Sequence, residues 1–275
     1  MAKYAFEIGA AAWGLRLNPL KEQFAICRDL GLTQLELQIA NAEGDYLQIG
    51  AGEKEFAQVR EWSREYGIGI RCAATGNDFS NDDYRDQVTK VKTAIMIAAG
   101  CGCEFLRIFA GFNSDSIMHG ARLDNMLASL KECAEFAKLH KITLVVETHG
   151  GVNDLGNGAI MHVASITTRA NTWQPILDTG CKMLYDPANL DAAGQADPIA
   201  FYHKFANSIA VIHLKDFKVV PGGWRPAACG EGGLDYPALM DAIHDFTGPV
   251  LLEYELPEDI IDGFRRCLKQ LESCK

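Results

Sequence analysis

Positive charge is in short supply in this 275-residue chain: 26 Lys and Arg stand against 36 Asp and Glu, a formal net charge of −10. That balance excludes the broad basic face with which a protein grips nucleic acid or an anionic membrane, while leaving room for one local basic pocket. Long hydrophobic runs are missing as well. The first stretch, Met1-Ala2-Lys3-Tyr4-Ala5-Phe6-Glu7, is interrupted by Glu7 before it can act as a signal peptide. The apolar-rich segment 93–102 is too short to cross a bilayer. No paired-cysteine framework exists: the nine cysteines are an odd number, scattered, with only Cys101 and Cys103 close together. Buried thiols where a helix turns into a strand suit that pair better than a metal or redox role, and the whole set implies a reduced, cytoplasmic setting. No Pro/Ser-rich linker, low-complexity tract or obvious repeat divides the chain, which implies one domain over residues 1–275.

What is present is an alternation. Apolar, strand-like runs fall at 5–10, 34–39, 69–74, 105–109, 143–147, 182–186, 210–214 and 250–254. Amphipathic stretches lie between them, among them 20–30, 53–66, 82–99, 123–140 and 238–246. Gly31, Gly67 and Gly100 sit just before the next strand, where a helix end favours a left-handed residue. Asn18-Pro19 reads as an N-cap followed by proline in the first helical turn. Eight strands alternating with helices in a chain of this length is the pattern of a (β/α)₈ TIM barrel, an α/β fold. The doubly wound alternative expects a glycine-rich phosphate loop after its first strand, and Gly9-Ala10-Ala11-Ala12-Trp13-Gly14 lacks that spacing.

Four of the runs end on a charged or imidazole side chain. Glu147 closes 142–146, Asp186 closes 183–185, His213 closes 209–212 and Glu253 closes 250–252. Such a residue costs desolvation energy unless it faces a polar cavity or a metal. Strand ends of a parallel barrel converge on one mouth, so the four would meet at a point. Three carboxylates and an imidazole suit a divalent ion such as Mn²⁺, Co²⁺, Mg²⁺ or Zn²⁺. Taken singly, each is equally well a capped strand end or a surface ion pair.

Further candidates follow from the period of two along a strand. His149 and Lys215 lie two residues beyond Glu147 and His213. They are placed either to move a proton or polarise a carbonyl, or to neutralise the acidic cluster. Asn189 is a hydroxyl-binding amide or a turn residue of Asp186-Pro187-Ala188-Asn189. Arg107 interrupts an apolar run and requires an anion: Glu36, Glu147, or a substrate carboxylate or phosphate. Glu36, between Leu35 and Leu37, faces inward or is paired. Trp13 is either core or an apolar wall over a sugar ring. The segment Gly230-Glu231-Gly232-Gly233-Leu234-Asp235-Tyr236 has no Lys-Ser/Thr phosphate signature; it is a mobile cover for the mouth, a subunit contact or a plain turn.

The order Glu147, Asp186, His213, Glu253, with Val211-Ile212-His213-Leu214-Lys215-Asp216, the glycine segment and the closing Leu251-Leu252-Glu253, resembles the xylose-isomerase-like sugar phosphate isomerase/epimerase superfamily over essentially the whole chain. In its ketose 3-epimerases and hydroxypyruvate isomerases the matching residues are the metal ligands. Glu147 and Glu253 would there also be the acid/base pair that moves a proton through a cis-enediolate. The resemblance thus implies an isomerase or epimerase of carbohydrate metabolism acting on a small sugar or polyhydroxylated keto acid, with His149, Lys215, Arg107, Asn189 and Glu36 as substrate contacts. Barrels of this group often associate, which makes a homo-oligomer compatible with the sequence without fixing a number. The chain departs from the epimerases at Asn189, where they have histidine, at Asn153, where they have glutamate, and at Val219, where they have arginine.

Glu147-Thr148-His149, Lys215 and Arg107-Ile108-Phe109-Ala110-Gly111 are also similar to the 3-dehydroshikimate dehydratases of the same superfamily, which implies a lyase as the alternative. The histidine-rich strand of the inosose dehydratases is absent. The endonuclease-IV-like DNA repair enzymes share the barrel but need more histidines than the seven present and a basic groove. A non-catalytic barrel would be favoured by loss of one ligand, and all four are present.

Overall fold

A computed structural model describes residues 4–40, 47–194 and 196–274; Met1-Ala2-Lys3 of the opening stretch lie outside them. The chain begins with β1 (Ile8–Ala10) and α1 (Leu20–Asp29), then a strand in two pieces, β2 (Gln34–Leu35) and β3 (Leu37–Ile39). Next come α2 (Glu53–Tyr66), β4 (Cys72–Thr75), α3 (Tyr84–Cys101), β5 (Phe105–Ile108), α4 (Ala121–Leu139) and β6 (Thr143–Glu147). A hairpin, β7 (Gly151–Gly156) and β8 (Ala159–Val163), precedes α5 (Trp173–Leu177), β9 (Lys182–Tyr185), α6 (Pro187–Ala193) and α7 (Pro198–Phe205). After β10 (Ile209–Leu214) a second hairpin, β11 (Asp216–Val220) and β12 (Gly223–Ala227), leads to α8 (Tyr236–Ala242), β13 (Val250–Leu252) and α9 (Ile260–Ser273).

The parallel sheet runs β2-β1-β13-β10-β9-β6-β5-β4-β3. Its two ends are consecutive pieces of one strand joined at Glu36, whose N–H donates to the Ala10 carbonyl at 2.9 Å, so the sheet closes on itself. This is the barrel expected from the alternation, and each of the eight apolar runs contributes a strand. Several strands are shorter than the apolar pattern: 5–10 keeps Ile8–Ala10, and 250–254 keeps Val250–Leu252.

The long outer helices turn one face to the core. In α9 the buried positions are Ile260, Gly263, Phe264, Cys267 and Leu271, three or four residues apart, as one helical face requires. Inside the barrel, Ala11, Cys72, Val145, Leu184, Val211 and Leu251 form a separate apolar plug. Four of the six lie two residues below a mouth residue on the same strand: Val145 below Glu147, Leu184 below Asp186, Val211 below His213 and Leu251 below Glu253. The plug is therefore the floor on which the polar layer stands. Large aliphatic side chains buried this way contribute about 1.5–3 kcal/mol each.

Two local expectations shift. The left-handed end of α3 is Gly102 (φ 89°), not Gly100, because Gly100 is still helical and lies against Phe56, where a Cβ would come within 2.4 Å of the ring. At α1 the cap position is Pro19 rather than Asn18; the Asn18 carbonyl instead accepts from Gln23 Nε2 at 2.9 Å. Gly31 and Gly67 are left-handed as expected. Among the described residues no disulfide forms, the nine cysteines are all buried, and no helix is long and apolar enough to cross a membrane.

The two hairpins pair through β12 and β8 into a four-stranded antiparallel sheet, β11-β12-β8-β7, which the barrel pattern does not anticipate. They leave the barrel directly after β6 and β10, so the sheet arises at the mouth.

Candidate active site at the barrel mouth

Each of the four strand-closing residues is delivered by an identifiable local device. Asp186 follows β9 and N-caps α6, its Oδ1 accepting the N–H groups of Ala188 and Asn189 at 3.0 Å each, with Pro187 in the first turn. That leaves Oδ2 without a hydrogen bond, facing the centre and the Lys215 ammonium. Thr148 ties β6 to the end of β9: its hydroxyl donates to the Asp186 carbonyl at 3.1 Å and accepts from the Asp186 N–H at 2.8 Å. Glu253, just past β13, keeps its N–H on the Leu214 carbonyl at 3.0 Å, one step beyond the Leu214–Leu252 pair, which sets it beside Lys215.

One donor atom from each of Glu147, Asp186, His213 and Glu253 lies within 4.8 Å of every other, and all four residues are buried. His213 sits between carboxylates, with Nε2 3.4 Å from Glu36 Oε1 and Nδ1 3.6 Å from Glu253 Oε1. Glu36 also accepts the Ala12 N–H at 3.0 Å. Glu147 is held on both oxygens: Oε1 accepts from Asn189 Nδ2 at 3.1 Å, and Oε2 is 3.3 Å from Arg107 Nε. Lys215 Nζ is 2.7 Å from Glu253 Oε2, 2.9 Å from Glu255 Oε1 and 3.3 Å from Asp186 Oδ2.

Burial sets the electrostatics, and neighbours then divide the carboxyl groups. Burial pushes Glu147 up to about 7 and Asp186 up to about 6, despite the opposing charges of Arg107 and Lys215 respectively. Burial alone would raise Glu253 too, but Lys215 and His213 hold it well below the usual carboxylate range. Glu36 is likewise lowered against its burial by His213 and Arg107. His213 and Lys215, which burial would lower, are instead raised well above their ordinary values by the carboxylates around them. His149 goes the other way: burial, with Lys215 and His162 nearby, pushes it down to about 3 and keeps it neutral.

Above the floor opens a cavity of about 860 Å³. Arg107, Glu147, His149, Asn189, Lys215 and Glu253 line it. Glu36 is fully buried below, next to the imidazole of His213, so among the sequence-derived candidates it alone reaches neither the cavity nor the four-residue cluster. Trp13 is 39% exposed, which rules out core packing; it lines the cavity with the Arg16 guanidinium 4.4 Å over its ring. The glycine segment is held in place: Asp216, fully buried, accepts the N–H groups of Phe217, Gly230, Gly232 and Gly233 at 2.9–3.1 Å.

Several lining residues were not singled out from sequence. Glu255, on Lys215, was within reach, being two residues beyond Glu253. His162 and Phe217 were not: they belong to β8 and β11 of the mouth sheet, and no barrel periodicity announces them. His162 is neutral as well, pushed down to about 3 by burial and by Lys215.

A family model described as xylose isomerase-like TIM barrel matches residues 24–271. No curated protein matches the chain by sequence. Among solved structures, a probable 3-DHS dehydratase, AsbF, of petrobactin synthesis in Bacillus anthracis superposes with TM-score 0.76 at 14% identity, covering 97% of this chain and 98% of that one. An L-ribulose 3-epimerase gives TM-score 0.73 at 16% identity, covering 98% and 95%. A xylose isomerase-like TIM barrel protein from Mycobacterium smegmatis in complex with magnesium gives 0.69 at 14%, covering 98% and 97%. Identities this low speak to the fold alone. The family match, spanning nearly the whole chain, speaks to descent, and the chain belongs to the xylose isomerase-like TIM barrel family.

Proposed function

We propose that this chain is a divalent-metal-dependent isomerase or epimerase that moves a proton beside the carbonyl of a small polyhydroxylated substrate, a sugar or keto acid. The observation that carries the reading is the convergence of Glu147, Asp186, His213 and Glu253 on one buried point. The donor set suits a divalent ion by its own chemistry, being three carboxylates and an imidazole without a thiolate. Asp186 Oδ2 and one ring nitrogen of His213, buried and without hydrogen-bond partners, are atoms such an ion would satisfy, the other ring nitrogen being left to a carboxylate neighbour. These four residues would hold the ion, which when bound would polarise the substrate carbonyl and acidify the adjacent C–H.

Glu147 and Glu253 are the proposed proton carriers, since both line the cavity. Arg107 and Asn189 fix the Glu147 carboxylate from either side, while Glu36 orients the His213 ring from below. Lys215 and His149 present an ammonium and a neutral imidazole to substrate oxygens. In this reading residues 1–275 are one domain of a cytoplasmic enzyme of carbohydrate metabolism, acting on neither nucleic acid nor membrane and compatible with a homo-oligomer.

The test is hydrogen exchange. Protein loaded with Mn²⁺, Co²⁺, Mg²⁺ or Zn²⁺ in D₂O should place deuterium on the carbon next to the carbonyl of a ketose, read by NMR. No exchange into any ketose with any of the four ions overturns the reading. A dehydratase acting on 3-dehydroshikimate is the second reading, favoured by His149 and Lys215 lining the same cavity as Arg107, whose guanidinium suits a carboxylate. Aromatic absorbance growing on incubation with 3-dehydroshikimate would establish it in place of the first.

A further inference from the structure

The reacting end accounts for only the floor of the cavity. At about 860 Å³, the space lies in the upper part of the range, roughly 300–1,000 Å³, that encloses drug-sized ligands. A single monosaccharide fills a fraction of it. One wall of the remainder is flat and apolar, facing a charged side with Arg16, Asp154, Arg225, Glu255 and Glu258.

Five rings follow one another around the wall. Phe112 and Phe109 are 4.7 Å apart between centroids, Phe109 and His149 5.1 Å, His149 and His162 6.4 Å, and His162 and Phe217 4.9 Å. Successive rings are turned by 53°, 67°, 50° and 60°, so together they form an arc rather than a parallel stack. Its two sides are anchored by cations of the floor, Arg107 4.4 Å over Phe109 and Lys215 5.6 Å from Phe217. The barrel supplies Phe109 and His149 at its strand ends; the mouth sheet supplies His162 and Phe217. All five line the cavity, and Val152, 43% exposed, and Ile160 continue the apolar surface.

Polar ligands alone do not repay such a wall. One sugar face covers one or two rings, and the rest of the partly exposed set Phe112, Phe109, His149 and His162 would stay against water, where apolar surface is costly; Phe217, 2% exposed, is already packed against His162. We propose that the substrate is a polyhydroxylated carbonyl compound bearing a flat apolar ring, with that ring seated on the arc from Phe112 to Phe217. The proposal rests on the proton-transfer reading only in assigning the hydroxylated end to the carboxylate floor.

Matched pairs of phenyl and methyl glycosides of glucose, galactose and xylose serve as probes, titrated calorimetrically into the Mn²⁺-loaded full chain. The phenyl member of at least one pair should bind about tenfold tighter than its methyl partner, the size of one good aromatic contact plus its buried area. Phe112→Leu and Phe217→Leu, at opposite ends of the arc, should each cut that ratio to about threefold or less and leave the methyl glycoside unchanged. Equal affinities within every pair, no binding by any probe, or a ratio that survives both variants each overturns the proposal. Deuterium exchange into free ketoses needs neither Phe112 nor Phe217, so its outcome reports on the proton-transfer reading separately.

Discussion

Glu253 is the residue on which the chemistry turns, because its carboxylate meets the Lys215 ammonium at 2.7 Å and the His213 ring at 3.6 Å. Glu253→Gln keeps the shape and removes the base. Turnover should fall by roughly 100- to 10,000-fold, the usual worth of a positioned acid or base, with the circular dichroism spectrum unchanged. Full activity in that variant would remove Glu253 from the mechanism. His162 carries a separate expectation. Its folded value near 3 lies below the ordinary 6.5, so the unfolded chain takes up a proton first as pH drops. Stability is therefore whole above pH 6.5 and is lost as pH falls from 6.5 towards 3; at pH 5 the loss is roughly 2 kcal/mol. Denaturant midpoints at pH 7 and pH 5 should differ less for His162→Gln than for the parent, and an equal difference would show that the imidazole is not held neutral.

At the scale of elements, the connection from β10 to α8 is more ordered than its glycines suggest. Its turn is wrapped around one carboxylate, with Asp216 accepting from Gly230, Gly232 and Gly233. A Cβ at Gly232 would come within 2.2 Å of Asp216 Oδ1, so the close approach requires glycine there. Asp216→Ala leaves several buried N–H groups without an acceptor and should cost roughly 2–3 kcal/mol. Hydrogen exchange at Gly232 and Gly233 should accelerate markedly; unchanged protection would mean that the turn holds without its carboxylate. The eight strands were legible because parallel barrel strands, covered on both faces, read as apolar runs. The hairpins 151–163 and 216–227 were not, since much of β7 is exposed and its composition resembles an ordinary loop. Only the pairing of β12 with β8 joins the two hairpins into a sheet.

For the whole molecule, bound ion and fold should be coupled by mass action. At a free ion concentration one hundred times its Kd, a single site adds about 2.7 kcal/mol to stability, visible as a raised melting temperature. Asp186→Asn separates the two duties of that residue. Asparagine caps a helix as well as aspartate does, so α6 should persist while the charge facing the centre is lost. The ion-dependent rise in melting temperature should shrink or vanish in this variant, with the ion-free melt little changed; an undiminished rise would take Asp186 out of the ligand set.

Sequence alone determined the barrel and the four groups at its mouth, because a strand's period of two and its closing charge are local properties of the chain. Lys215 and His149 were legible by the count of two along a strand, Arg107 as a charge interrupting an apolar run, and Asn189 by its place three residues beyond Asp186. Tertiary structure decided what surrounds them: Glu36 beneath His213 rather than in the cavity, Asp216 inside the glycine turn, and His162 with Phe217 over the mouth. Those neighbours come from segments far apart in the chain, and their proximity is created by ring closure and by two hairpins meeting across it. No spacing within one segment records such an encounter.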